Sequence, residues 1–146
     1  MIDTLDPKPG FSYWIIGTVA LLWNLLGVMA YVMQVSATPE QLAAAYTPEQ
    51  VELLIAIPAW ATSMTAIATT FGVLGSILLL LRRKLSTVVY AISLVALIIQ
   101  NIYTFGMTET LTVFGTTPLL IQSAVMLIAV FLVWYSRQAG AKGWMR

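Results

Sequence analysis

All thirteen formal charges of this chain, seven basic and six acidic, fall outside four uncharged, strongly apolar stretches at residues 9–39, 53–81, 85–108 and 110–136. A membrane-spanning helix needs roughly 20 apolar residues to cross a hydrocarbon core of about 30 Å, and each stretch meets that length. The pattern predicts an all-α, antiparallel four-transmembrane-helix bundle, one membrane domain over 1–146, with spans over about 11–35, 58–81, 85–107 and 118–137. Pro58 and Pro118 sit near the starts of the second and fourth spans, where a missing N–H costs little. Only Arg82, Arg83 and Lys84 separate the second span from the third, a turn so tight that those two helices must be antiparallel neighbours.

The first stretch carries small residues at Val35-Ser36-Ala37 that a signal peptidase accepts. It is far longer than the roughly 7–15 residues of a signal-peptide core, and the segment before it (Asp3, Asp6, Lys8) is not basic. It is read as a retained first span.

Composition excludes whole classes of function. Apolar residues make up 60% of the chain and charged residues 9%, against about 25% charged in an ordinary soluble domain. The net charge of +1, with basic residues flanking the spans instead of forming one patch, gives no footing for nucleic acid. There is no Cys and no His, so disulfide, thiol and zinc–thiolate chemistry are absent. So is the side chain that most often acts as a general base near neutral pH. The acids are confined to the N-terminal segment and the loops. Glu109 alone, without a partner base or metal ligand, offers no mechanism. Neither a catalytic nor a metal site is expected, and no cofactor.

The basic residues also set an orientation. Lys8, Arg82, Arg83, Lys84, Arg137, Lys142 and Arg146 fall on the N-terminal segment, the second loop and the C-terminal tail, while the first and third loops hold only Glu40, Glu49, Glu52 and Glu109. The positive-inside rule therefore places both termini in the cytoplasm. Aromatic residues agree: Tyr13, Trp14, Trp134 and Tyr135 mark an inner interface, and Tyr31, Trp60 and Tyr103 an outer one.

In the first loop a short repeat, Thr38-Pro-Glu-Gln-Leu and Thr47-Pro-Glu-Gln-Val, recurs after nine residues. Each copy reads as a helix start. Thr is the N-cap, Pro takes the first helical position, Glu lies where the helix dipole favours negative charge, and Gln three residues after the Thr completes a capping box. Two short amphipathic helices are expected over about 39–45 and 48–57. They either cap the outer end of the bundle at the interface or serve as a lid or docking surface.

With no ionisable group inside the spans, the informative residues are neutral. Asn24 lies mid-span beside Trp23. The second span carries Thr62, Thr65, Thr69, Gly72 and Ser76 at helical spacing, and the third carries Ser86, Tyr90, Ser93, Gln100 and Thr104, with Asn101 adjacent. The fourth contributes Gln122. An unpaired amide in hydrocarbon costs several kcal/mol, so these groups face other helices or a hydrated cavity. One reading places a neutral, polar-lined ligand pocket in the outer half, built from Asn24, Trp23, Trp60, Thr62, Thr65, Gln100, Asn101 and Gln122. The other assigns the same residues to packing: small residues let membrane helices approach closely, and amide or hydroxyl bonds between them average about 0.6 kcal/mol. The two differ in whether Asn24, Gln100 and Gln122 converge on a void.

Three function classes bear on a chain of this kind. Proton-coupled drug export needs an intramembrane carboxylate, and the spans have none. A carrier or facilitator for a small neutral solute such as a sugar suits amide, hydroxyl and aromatic groups, yet the chain lacks the internal halves common in secondary carriers; a homo-oligomer would have to complete its pathway. A non-enzymatic accessory, structural or lipid-binding bundle, with membrane lipids or a larger membrane complex as partners, requires only packed helices and a capped loop. It is the preferred expectation, with the neutral-solute carrier as the alternative.

Around Trp23-Asn24-Leu-Leu-Gly27, the two Thr-Pro-Glu-Gln segments, Pro58-Ala-Trp60-Ala and Gly72-Val-Leu-Gly75-Ser76, continuing through a run of aliphatic residues to Arg82-Arg83, the chain resembles a group of small, uncharacterised bacterial four-helix integral membrane proteins. Some of these carry the label "sugar transporter". The resemblance covers nearly the whole chain. It implies a multi-pass protein of a bacterial inner membrane, and it carries over no functional residue.

Overall fold

In a hydrocarbon core each backbone N–H and C=O must be paired within its own segment or within a closed barrel, and the four uncharged stretches meet that demand as helices. The computed structural model describes residues 7–146; Asp3 and Asp6 lie outside them. Seven helices follow in order: α1 (Phe11–Ser36), α2 (Pro39–Ala45), α3 (Pro48–Ile55), α4 (Ala59–Leu80), α5 (Leu85–Gly106), α6 (Thr110–Phe114) and α7 (Thr117–Ala141). No strand occurs among the described residues. The four long helices α1, α4, α5 and α7 are each long and apolar enough to cross a membrane, and the protein is an all-helical, multi-pass four-helix bundle.

The long helices form a curved row. α1 packs on α4, α4 on α5 and α5 on α7, whereas the backbones of α1 and α7 are not closely packed together. Side-chain size explains the tightest pair. The buried residues of α4 are almost all small (Ala61, Ala68, Gly72, Gly75, Ser76, with Leu79), and those of α5 are Ser86, Val89, Tyr90, Ser93 and Ala96. Two serines of α5 reach across to α4 carbonyls, Ser86 Oγ to Gly75 O at 2.8 Å and Ser93 Oγ to Ala68 O at 2.6 Å. The ring of Tyr90 lies where a Cβ on Gly75 would stand, 2.7 Å from that position, so only glycine allows this approach.

The basic end of the bundle is closed. Tyr13, Leu79, Ala139 and Met145 form its buried core, with Tyr135 and Trp144 packed against them. The Tyr13 hydroxyl donates to the Leu79 carbonyl in the last turn of α4. The α4–α5 turn places Arg82 in left-handed backbone (φ +56°), a conformation disfavoured for a residue with a Cβ. It is held there from both sides: Arg82 Nε donates to Trp144 O at 2.6 Å, the Arg146 N–H donates to Arg82 O, and the Lys84 N–H donates to Arg146 O at 2.9 Å. The last residues of the chain thus clip the turn that joins the central helices.

At the acidic end both capping boxes form. Gln41 N–H donates to Thr38 Oγ1 at 3.3 Å while Thr38 N–H donates to Gln41 Oε1 at 2.9 Å; the Thr47/Gln50 pair repeats this at 3.4 and 3.1 Å. The helices they start span Pro39–Ala45, as expected, and Pro48–Ile55, two residues shorter than the expected 48–57. Pro58 supplies the reason, because the residue before a proline is disfavoured in helical backbone. α6 adds a short turn that no periodicity announced, and α7 runs past the expected end at 137 to Ala141. Beside them Trp60 of α4 stacks edge-on against Tyr103 of α5, ring centroids 5.1 Å apart.

Candidate functional site

Midway along the bundle a partly open cavity of about 250 Å³ is lined by all four long helices: Trp23, Asn24, Leu26 and Gly27 of α1, Ala68 and Thr69 of α4, Ser93 and Leu97 of α5, and Val125, Ile128, Ala129 and Leu132 of α7. It exists because of the row geometry. Close packing seals the α1–α4, α4–α5 and α5–α7 seams, leaving the α1–α7 side bounded by side chains such as Trp23 and Leu26 on one helix and Val125 and Ile128 on the other. Toward the basic end Tyr13 and Tyr135, with ring centroids 6.3 Å apart, bring α1 and α7 together and close the floor.

Asn24 is the main polar residue of this wall. Its Nδ2 donates to Ala20 O at 2.8 Å and to Ser76 Oγ at 3.3 Å. Ser76 Oγ in turn bonds Gly72 O at 2.9 Å and the Tyr90 hydroxyl at 2.8 Å. Gly72 is the residue that lets this happen: a Cβ there would fall 2.1 Å from Asn24 Oδ1. A chain of polar groups therefore links α1, α4 and α5 through Asn24, Ser76 and Tyr90. Its members hold helices together, as neutral polar side chains in membranes commonly do. The hydroxyls of Ser93 and Thr69 are also occupied, by Ala68 O and by Thr65 O at 2.9 Å. What the cavity offers a guest is mostly apolar wall.

Of the eight residues singled out in the sequence, the structure brings Trp23 and Asn24 to this cavity. The other six are elsewhere. Thr62 and Thr65 bond back to Pro58 O and Ala61 O on their own helix. Gln100 Nε2 donates to Thr104 Oγ1 at 2.9 Å, and Asn101 Nδ2 to Leu97 O at 2.8 Å, again within one helix. Trp60 is occupied by Tyr103 at the acidic end. Gln122 lies one turn beyond Val125, and its Oε1 is buried without a hydrogen bond among the described residues. Asn24 lines this cavity, and Gln100 and Gln122 are not among its lining.

A second, larger hollow of about 900 Å³ lies at the acidic end, between the last turns of α1 and helices α2 to α4, with Gln34, Gln41, Tyr46 and Thr62 among its lining. Residues of the loop helices α2 and α3 line this hollow, and Thr62 is the one expected site residue among its lining. The residues missed from sequence are the aliphatic ones of α7: Val125, Ile128, Ala129 and Leu132. Their spacing marks one face of a helix, which by itself reads as ordinary packing.

Among the described residues no group of His, Cys, Asp or Glu could hold a metal ion. The spans offer no ionisable group to the cavity. No protein-family model, no curated protein and no solved structure matches the chain.

Proposed function

We propose that this protein is a non-enzymatic membrane bundle that holds an apolar chain, such as the acyl tail of a membrane lipid, in its mid-membrane cavity. The observation that carries this reading is the lining itself. Four helices contribute mainly aliphatic and small side chains, while the hydroxyls among them are already bonded to backbone. At about 250 Å³ the space lies below the roughly 300–1,000 Å³ of sites that enclose drug-sized ligands, a fit for a segment of a single alkyl chain. Van der Waals contact and lipid entropy govern such an association, because lipid tails and the wall are equally apolar. With the basic residues on the cytoplasmic side, as the positive-inside rule directs, both termini lie inside and the capped loop helices outside. A bacterial inner membrane is the location that the resemblance implies.

A sugar carrier is less well supported, because the amides that would recognise a sugar are separated and mostly bonded within their own helices. The two readings part in one experiment. Stearic acid carrying a nitroxide on its chain should give a motionally restricted spectral component with the purified protein, and Ala129→Phe, which places a ring in the cavity, should remove it. Absence of a restricted component from the native protein would sink the lipid reading. So would uptake of a neutral sugar into proteoliposomes that depends on Asn24.

A further inference from the structure

On the outer surface of the α5–α7 seam, toward the basic end, runs a groove of about 390 Å³ that is separate from the central cavity. One wall is a continuous stripe of α7: Val130, Val133, Trp134, Arg137, Gln138 and Ala141, at the offsets of 3, 4, 7, 8 and 11 that place residues on one helix face. The other wall is Leu94 of α5. The stripe is graded. Valine and the tryptophan ring cover the part that runs into the membrane, and the guanidinium and the amide stand at its end. At about 1.5 Å per residue the stripe extends roughly 16 Å, comparable to one leaflet of the hydrocarbon core.

The cations of the C-terminal region differ in what occupies them. Lys142 Nζ lies 4.6 Å from the centre of the Trp144 ring, and Arg146 joins the backbone clip on Arg82 and Lys84. Arg137 is exposed on the groove and makes no hydrogen bond or ion pair with any described residue. An arginine fork matches a phosphate with two parallel N–H···O bonds. Basic pockets between membrane helices on the positively charged side bind anionic headgroups.

We infer that the α5–α7 groove is a binding site for an anionic phospholipid, with the headgroup phosphate on Arg137 and Gln138 and an acyl chain lying along Trp134, Val133, Val130 and Leu94. The site does not rest on the central cavity. It lies on a different face and recognises charge, which the cavity does not.

The test uses the full chain, purified and exposed to equal amounts of phosphatidylglycerol and phosphatidylcholine in mixed micelles. Lipids retained on the protein are counted by native mass spectrometry. Phosphatidylglycerol should be retained preferentially, at one molecule per chain. Arg137→Gln should weaken that retention about tenfold, the scale of losing a charge-assisted hydrogen bond. Arg137→Lys should weaken it less, since the charge remains and the fork is lost. Leu94→Trp should abolish retention with Arg137 intact, by filling the groove. Arg137→Gln, Arg137→Lys and Leu94→Trp should each leave unchanged the part of the restricted nitroxide–stearate component that Ala129→Phe removes, which separates the two sites. Equal retention of both lipids by the native protein, or retention unaffected by Arg137→Gln and Leu94→Trp, overturns the assignment. Displacement of phosphatidylglycerol by millimolar inorganic phosphate also overturns it, because it would show a phosphate site without a lipid tail.

Discussion

Gly75→Ala is the sharpest probe of how this bundle is held together. The added methyl would lie 2.7 and 2.8 Å from two carbons of the Tyr90 ring, well inside van der Waals contact. Tyr90 is 3% exposed and cannot simply swing aside, because its hydroxyl is bonded to Ser76 at 2.8 Å and Ser76 is tied to Asn24. Overpacking of this kind costs typically 1–3 kcal/mol. If the ring moves to make room, the Ser76–Tyr90 bond goes too, worth about 0.6 kcal/mol for a polar contact between membrane helices. A total loss of about 2–3 kcal/mol is expected, measured as unfolding in mixed micelles of increasing sodium dodecyl sulfate by circular dichroism. The control is a double-mutant cycle. Tyr90→Ala destabilises on its own by opening a cavity, but in its background Gly75→Ala meets no ring and should cost almost nothing. A coupling of about 2 kcal/mol between the two positions is the signature of direct contact. Additive costs, or a neutral Gly75→Ala, would refute the idea that glycine is there to admit the Tyr90 ring.

Two further perturbations address the ends of the bundle. Thr38→Val and Thr47→Val each remove an N-cap and should cost about 1 kcal/mol of local helix stability. This should be read as faster amide exchange over Pro39–Ala45 or Pro48–Ile55 with the long helices unchanged. The first also bears on pH. The carboxyl of Glu40 is held below the usual range by its own backbone N–H and then by the Thr38 hydroxyl. A depressed carboxylate stabilises the fold above its unfolded value, and that contribution fades as pH falls through the lower folded value. In Thr38→Val the Glu40 titration, followed by carboxyl carbon NMR shifts, should move up toward the ordinary 4.5; an unmoved titration would show the hydroxyl irrelevant. At the basic end, deleting residues 143–146 removes Met145, which is 2% exposed, and the acceptor for Arg82 Nε. Burial of a methionine side chain alone is worth about 1.5–3 kcal/mol. The truncated chain should therefore unfold at lower detergent fraction, with Arg82→Ala reproducing part of the loss.

What could be read from the chain, and what could not, divides along a physical line. Spans and caps are local. A stretch without charge and a Thr-Pro-Glu-Gln start fix their own structure through hydration and backbone hydrogen bonding: the caps form at Thr38 and Thr47, and the long helices fall on the uncharged stretches, with α7 overrunning its expected end. The arrangement of the polar residues is not local. A helical wheel shows that Gln100 and Thr104 share a face, and they do bond each other, but it does not show how far that face stands from Gln122 on another helix. That distance depends on how closely the backbones approach, which is set by the smallest residues at each seam. Gly72 and Gly75 draw α1 and α5 onto α4, and Asn24 and Tyr90 are consumed in the contact. The cavity then opens on the side where no glycine brings α1 and α7 together, and its wall falls to aliphatic residues of α7 with no polar mark to single them out. In a membrane protein without charged groups inside, the voids are therefore better sought where small residues are missing from a seam than where polar residues accumulate. Here the polar residues have largely used up their hydrogen bonds in building the walls.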